Sequence, residues 1–130
     1  MRRQITISSE PINEANLNSA RTLSSDMGAV VCFLGIVRGT EAGLSICALE
    51  YEAFERMAHH QFNRLLEELE QRWPTIESIR LVHRIGLIKV AEPSLWVEIV
   101  APHRQEAFAA SQWLIDEMKQ VVPIWKKPVT

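Results

Sequence analysis

The chain has 130 residues, so we expect residues 1–130 to form a single domain with its own hydrophobic core. Hydrophobic residues make up 47% of the sequence and charged residues 23%, a globular composition that excludes a disordered or fibrous chain. The net charge of −2 argues against a nucleic-acid binder, and no apolar run reaches the roughly 18 residues that a membrane span requires.

The first half of the chain alternates between strand patterns and helix patterns. The apolar run at 28–37 is continuous and rich in β-branched residues, which predicts a strand buried on both faces. The glycine-bearing segment 38–43 predicts a loop that joins this strand to the next one as a hairpin. The patterns predict strands over 4–8, 28–37 and 45–51, and helices over 11–23 and 53–72.

The second half predicts three strands, a second long helix and a short basic tail at 124–130. Strands are expected over 76–82, 86–90 and 94–101, and a helix over 103–121. Strands and two long helices that do not alternate strictly indicate an α+β fold.

Two cysteines, Cys32 and Cys47, are too few for a disulfide framework, and their spacing fits no zinc site. Each lies in an apolar stretch, so we expect buried thiols in a reducing compartment. The first four residues lack the apolar region of a signal peptide. These features together predict a cytoplasmic protein.

Positive charge is concentrated at the end of the sequence. Residues 119–130 contain Lys119, Lys126 and Lys127 and no acidic residue, whereas the remaining 118 residues hold 11 basic and 16 acidic ones. Such segregation favours a binding site for an anion. A solvated basic tail is the alternative interpretation.

A second candidate anion site is the start of the last helix, at Pro102-His103-Arg104. Free backbone N–H groups and the positive end of the helix dipole attract anions there, and imidazole and guanidinium groups add donors. Alternatively, His103 caps the helix and Arg104 pairs with Glu106 or Asp26.

Arg38, at the exit of the strand over 28–37, is a third candidate, because a cation on a loop can swing over a ligand; a solvated side chain is the alternative. His103 and Lys119 are separated by 16 residues, about 24 Å along one helix. They therefore serve separate sites, or the helix start of one subunit meets the helix end of another in a two-fold dimer.

Motifs for metal or nucleotide chemistry are missing from the sequence. His59 and His60 are adjacent on a helix and point about 100° apart, so they form no chelate. There is no P-loop, no G-x-G-x-x-G and no G-x-S-x-G motif, and we expect no metal and no cofactor. Trp125 either packs on a flat ring or anchors the tail. The other aromatic residues that we expect in the core are Phe33, Tyr51, Phe54, Trp73, Trp96 and Trp113.

Short segments spread over about residues 28–127 match a known family in order and spacing. The most specific are HRIG at 83–86 and PIWKK at 123–127, taken together. The others are GAVVCFLGIVR at 28–38, LEYE at 49–52, MA at 57–58, RWP at 72–74, APHR at 101–104, AF at 107–108 and DEMK at 116–119. With these segments the chain resembles the large, catalytic subunit of molybdopterin synthase.

This resemblance implies a fold, a set of partners and a reaction. The fold is an α+β, hammerhead-like domain with a mixed or antiparallel sheet and two long helices, and it forms a homodimer. Each end of the dimer binds a small ubiquitin-like sulfur-carrier subunit whose Gly-Gly tail ends in a thiocarboxylate, which makes a heterotetramer. The enzyme transfers two sulfurs from this carrier to cyclic pyranopterin monophosphate and so forms the dithiolene of molybdopterin.

The resemblance also implies which residues form the site, with contributions from both subunits. Because both reactants are anions, a desolvated pocket needs several cations. We expect Lys119 to polarise the carbonyl of the incoming tail or to act as acid and base, and Lys126 to stabilise charge on leaving groups. The residues expected to bind substrate are Ile36, Val37, Arg38, His103, Arg104 and Lys127.

Two other functions remain possible from the residues alone. A non-catalytic module could grip an acidic carrier tail through the basic C-terminal segment without turning over the pterin. A phosphoester hydrolase is disfavoured, because the sequence lacks an obvious nucleophile–base pair or metal cluster.

Overall fold

The computed structural model describes all 130 residues, which form nine strands and three helices and confirm the α+β class. None of the helices is long and apolar enough to cross a membrane. In chain order the elements are β1 (Arg2–Ser8), α1 (Glu14–Ser19), β2 (Ala29–Ile36), β3 (Thr40–Glu41), β4 (Leu44–Ser45), β5 (Ala48–Ala53), α2 (Glu55–Arg72), β6 (Ser78–Arg84), β7 (Gly86–Lys89), β8 (Pro93–Ala101), α3 (Arg104–Val121) and β9 (Ile124–Val129).

The strands are divided between two sheets and a small hairpin. The larger sheet has the order β1-β6-β8-β2, with β1 parallel to β6 and the other pairs antiparallel, so it is the mixed sheet that was expected. The smaller sheet has the order β7-β5-β9 and is antiparallel throughout. The two-residue strands β3 and β4 pair with each other alone.

Two hydrophobic clusters of unequal size hold these layers together. The larger cluster has 17 buried residues and forms where α2 and α3 pack on the larger sheet, with Phe62, Leu114 and Ile99 fully buried. The spacing of apolar residues predicted the buried face of α2 from Ala58 to Leu69, whereas Phe54 and Met57, which belong to the same pattern, are exposed. The smaller cluster has four buried residues, Val37, Ile46, Leu49 and Ile88, and supports the smaller sheet.

The prediction that the strand over 28–37 is buried on both faces is wrong. The strand lies at the edge of the larger sheet, with β8 as its one neighbour, and α3 covers one of its faces. On β2, Val30, Phe33 and Ile36 are 36%, 37% and 48% exposed. Cys32 is exposed as well, and so is Cys47, so the prediction of buried thiols is also wrong. The apolar run therefore includes side chains that this chain leaves partly uncovered on both faces of the strand.

The predicted hairpin between β2 and β5 does not form. After β2 the chain is held by hydrogen bonds between Val37 and the β7–β8 turn (Val37 N to Glu92 O, 3.1 Å; Ala91 N to Val37 O, 2.8 Å). The β3–β4 hairpin follows, and β5 then enters the other sheet. The predicted tail is instead a strand, because β9 pairs with β5 along its whole length, from Ile124 opposite Ala53.

The short helix α1 spans Glu14–Ser19 rather than 11–23. It begins at Asn13, whose Oδ1 accepts a hydrogen bond from Asn16 N at 3.1 Å, as expected for an N-cap residue. None of its residues is buried, so little packing is available to extend it.

A buried carboxylate, Glu98 of β8, is 1% exposed and is held by two arginines. Arg80 donates from Nε to Oε1 and from Nη2 to Oε2, both at 2.8 Å, and Arg21 donates from Nε to Oε2 at 2.6 Å. Burial alone would raise the pKa of Glu98, but the hydrogen bonds from Arg80 and Arg21 outweigh burial and lower this pKa. The guanidinium of Arg80 also lies 4.9 Å from the centre of the Trp96 ring.

Candidate functional site

A cleft of about 720 Å³ lies between the larger sheet, the end of α3 and the smaller sheet. Nine of its 15 lining residues are hydrophobic, and three cationic side chains lie along it: Arg38, Lys119 and Lys126. No carboxylate is among its lining residues, which are Phe33, Leu34, Gly35, Ile36, Arg38, Tyr51, His83, Ser94, Leu95, Met118, Lys119, Val122, Ile124, Trp125 and Lys126. Three cations in one cleft without a lining carboxylate favour an anionic ligand.

Two neighbouring elements carry the lysines to this cleft. Lys119 lies in the last turn of α3, where the helix dipole favours a cation. After α3 ends, Pro123 is followed directly by β9, whose alternation turns Lys126 and Lys127 to opposite faces. Lys126 therefore lines the cleft, whereas Lys127 does not.

Ile36 and Arg38 reach the cleft from the end of β2, where the pairing with β8 shifts register between Gly35 and Ile36. The residue between them, Val37, is 2% exposed and belongs to the smaller hydrophobic cluster. The structure thus brings Ile36 and Arg38 together with the two lysines, and directs Val37 away from the cleft.

His103 and Arg104 lie elsewhere, at the start of α3. They border a separate shallow pocket with Gln105 and Phe108. His103 is the N-cap residue of α3, and its backbone N donates to Glu106 Oε1 at 2.6 Å. Arg104 makes no ion pair with any residue of the chain. The length of α3 separates these residues from Lys119, as the spacing predicted.

His83 lines the cleft but is not among the predicted site residues, although the HRIG segment at 83–86 contains it. It is 6% exposed, lines the cleft, and contacts the Tyr51 ring edge to face at 5.3 Å between ring centres. Its Nδ1 lies 2.8 Å from the carbonyl oxygen of Arg84. Burial lowers the pKa of His83, an effect that the hydrogen bond to Arg84 opposes in part, so the imidazole is neutral at pH 7. A neutral imidazole donates from Nδ1 to this carbonyl and keeps Nε2 as an acceptor.

We expect this histidine to make the fold sensitive to mild acid. The unfolded chain titrates His83 near pH 6.5, and the folded chain does so at lower pH. The contribution of His83 to the free energy of unfolding is therefore fully present above about pH 6.5. It declines as the pH falls from 6.5 toward the lowered pKa of the folded state. Thermal unfolding at pH 7.5 and pH 5.5 should show a smaller loss of Tm for His83→Gln than for the unchanged protein.

The matched control is His60→Gln, because His60 is exposed on α2. This variant should keep the pH dependence of the unchanged protein. The carboxylates with lowered pKa, Glu77 and Glu98, titrate below about pH 4.5 and so outside this range. An equal loss of Tm in all three proteins would contradict the role given to His83.

Aromatic side chains are less buried around the cleft than the sequence predicted. Trp96 is in the core at 2% exposure, but Phe54 is 66% exposed and Phe33 is 37% exposed. Trp125 packs edge to face on Phe54, with 5.0 Å between ring centres, and so anchors β9 to the start of α2. Tyr51 and Trp125 form part of the cleft wall rather than of the core.

The structure contains no group of three or more His, Cys, Asp or Glu side chains placed to hold a metal ion. The side chains that can act on a ligand in the cleft are the three cations, the neutral imidazole of His83 and the hydroxyl groups of Tyr51 and Ser94. These groups can bind an anion, polarise a carbonyl and exchange protons.

Comparison with known proteins identifies relatives that cover nearly the whole chain. The family model described as MoaE protein matches residues 7–121. The molybdopterin synthase catalytic subunit of Staphylococcus carnosus is 41% identical over 128 residues, which cover 98% of this chain and 83% of that protein.

Solved structures show the same fold. The crystal structure of molybdopterin synthase from Staphylococcus aureus superposes with a TM-score of 0.84 at 34% identity, and the match covers 97% of this chain and 89% of that one. A chain in the complex of subunits 1 and 2 of molybdopterin-converting factor from Helicobacter pylori matches with a TM-score of 0.76 at 20% identity, over 98% of this chain and 88% of that one.

Proposed function

The chain belongs to the MoaE protein family, and from its cleft we propose that it acts as the catalytic subunit of a molybdopterin synthase. In this reaction sulfur passes from the thiocarboxylate of a small carrier subunit to cyclic pyranopterin monophosphate, and the dithiolene of molybdopterin is formed. The observation that carries the proposal is the joint presence of Arg38, Lys119 and Lys126 in one cleft that contains no carboxylate in its lining.

The two lysines have different tasks in the proposed mechanism. Lys119 binds at the carbonyl of the carrier tail, where its ammonium group polarises the C=O bond and can give or take a proton. Lys126 stabilises negative charge on the leaving group. Arg38, on a loop beside the cleft, binds the phosphate of the pterin. All three cations are exposed in the free subunit, so these interactions strengthen when the carrier tail and the pterin cover the cleft and displace water.

The small carrier subunit is the protein partner in this proposal. The structure from Helicobacter pylori that shares the fold is a complex of two subunits of molybdopterin-converting factor. A tail that ends in Gly-Gly is narrow enough to enter a cleft whose floor is made by β-strands. We place the reaction in the cytoplasm, where the exposed thiols of Cys32 and Cys47 stay reduced.

The proposal includes a homodimer formed through the free edge of β2. Val30, Phe33 and Ile36 are exposed apolar side chains of this edge strand, and exposed apolar side chains are typical of an interaction surface. A two-fold contact there would supply the imidazole of His103 and the guanidinium of Arg104, at the start of α3, to the cleft of the other subunit.

Reconstitution tests the function directly. The purified chain, a thiocarboxylated carrier and cyclic pyranopterin monophosphate are mixed, and the dithiolene product is measured. A carrier that ends in an ordinary carboxylate is the control and should give no product. Tight binding of the thiocarboxylated carrier without any product would identify a non-catalytic binding module and reject the enzyme.

Mixed dimers test whether the site is shared between subunits. Lys119→Ala and Arg104→Ala should each be inactive, but a mixed dimer of the two has one intact site if Lys119 and Arg104 come from different chains. Random mixing of equal amounts should then restore about one quarter of the wild-type activity. Failure to restore activity on mixing, with dimer exchange shown by gel filtration of tagged subunits, would place both residues in one chain's site.

A further inference from the structure

One of the three cations of the cleft is already paired with an acid of the same chain. Glu41 Oε1 lies 3.3 Å from Lys126 Nζ, and the two side chains are 26% and 44% exposed. Arg38 and Lys119 make no ion pair, so Lys126 alone has a carboxylate partner in the free subunit.

Glu41 belongs to the short β3–β4 hairpin. Strands β3 and β4 have two residues each, and the turn between them places Ala42 and Gly43 at φ values of 50° and 81°. The hydrogen bond from Ile46 N to Gly39 O, at 3.0 Å, closes the base of this hairpin. The hairpin pairs with no other strand, so Glu41 can move without disturbing either sheet.

We propose that Glu41 forms an ion pair with Lys126 while the cleft is empty, and that the incoming anionic substrate displaces Glu41 from this lysine. This inference rests on the proposed function for the identity of the anion. Both reactants of that function carry negative charge, so Glu41 and the substrate compete for one ammonium group. The hairpin then lowers the affinity of the cleft for any anion that uses Lys126, and it keeps this lysine in place between turnovers.

The size of the effect follows from the exposure of the pair. Partly exposed ion pairs contribute little to stability, and the range measured for them corresponds to about 1.5- to 5-fold in a binding constant. Glu41→Gln keeps the shape of the side chain and removes its charge. In the sulfur-transfer assay this variant should lower KM for the thiocarboxylated carrier by about 1.5- to 5-fold, with kcat unchanged.

Glu67→Gln is the matched control. Glu67 is exposed on α2 and makes no ion pair, so the substitution removes the same charge without freeing a cation. Its KM should equal that of the unchanged protein. A fall of kcat in Glu41→Gln with KM unchanged, or an equal effect in Glu67→Gln, would overturn the competition.

A second measurement is independent of turnover. Inorganic phosphate is titrated into the unchanged protein, Glu41→Gln, Lys126→Gln and the double variant, and its Kd is read from the amide shifts of Trp125 and its neighbours. Phosphate should bind more tightly to Glu41→Gln by about 1.5- to 5-fold, and the same substitution should have no effect when Lys126 is already Gln. An effect of equal size in both backgrounds would overturn the inference.

The two failures are distinguishable. If the unchanged protein makes no dithiolene but the phosphate cycle shows coupling between Glu41 and Lys126, the proposed function fails and the competition stands. If the unchanged protein turns over and the cycle shows no coupling, the competition fails and the function stands.

Discussion

Replacement of Lys119 with alanine is expected to abolish sulfur transfer while leaving the fold and carrier binding intact. Lys119 lies in the last turn of α3, and its side chain enters the cleft from a rigid helix. Alanine removes the group that, in the proposed mechanism, polarises the tail carbonyl and exchanges a proton with it. Losses of this kind reduce kcat by about 10²- to 10⁴-fold. Single-turnover formation of dithiolene is the measurement, because it separates the chemical step from product release.

Two further variants make this result specific. Lys89→Ala removes an exposed cation of β7 that does not line the cleft, and it should retain full activity. Lys119→Arg keeps the positive charge but not the compact ammonium, and should recover only part of the rate. Lys119 is exposed, so Tm should be unchanged in all variants. Turnover of Lys119→Ala at the rate of the unchanged protein would remove Lys119 from the mechanism.

The largest effect on stability is expected from Glu98→Ala. Glu98 is 1% exposed and holds Arg80 and Arg21 at 2.6–2.8 Å. Its removal leaves two partly buried guanidinium groups without a counter-charge. Breaking a buried pair costs about 3–5 kcal/mol, and the lower end applies because water reaches both arginines. For a domain of this size the loss should reduce Tm by about 10 °C, which calorimetry can measure.

An exposed ion pair of the same chain provides the control. Glu68 lies 3.3 Å from Arg72 on the outer face of α2, four residues away, and both side chains are about half exposed. Glu68→Ala should cost no more than about 0.5 kcal/mol. A loss of Tm that is the same for Glu98→Ala and Glu68→Ala would mean that burial does not strengthen the Glu98 cluster.

The sequence predicted those parts of the fold that depend on local periodicity. The apolar spacing of α2 and α3, and the strands that became β6, β7 and β8, agree with the structure to within a few residues. Pairing between distant segments was not predictable in this way. The contact of Cys47 Sγ with the carbonyl of Val129 spans 82 residues, and no local pattern in 124–129 distinguishes a strand that pairs with β5 from a solvated tail.

The outcome for β2 has a different physical cause. A continuous apolar run indicates that both faces of a strand are to be buried. It does not show whether residues of the same chain or of another subunit bury them. In β2 the side chains of Val30, Phe33 and Ile36 stay exposed. The pattern therefore predicted a strand correctly, but its burial on both faces wrongly.

The sequence predicted the charged residues of the candidate site but not its uncharged residue His83. The segregation of Lys119 and Lys126 and the position of Arg38 led to the cleft that the structure contains. His83 was not predicted as a cleft residue. It lies on the same face of β6 as Ile79 and Leu81, and this sequence pattern is the same whether the histidine faces the core or a cavity. Knowledge of which two sheets meet at His83 is needed to tell the two cases apart.

The unequal division of the hydrophobic interior has a consequence for the working enzyme. Four buried residues support the sheet that carries Lys126, whereas 17 stabilise the part that carries Lys119. Free energies of local opening follow the amount of apolar packing, so the smaller sheet should exchange its amide hydrogens sooner than β6 or β8. The wall of the cleft that carries Lys126 should therefore open locally at a lower free energy than the wall that carries Lys119. In the proposed function, such local opening would let the carrier tail enter and leave without unfolding the whole protein.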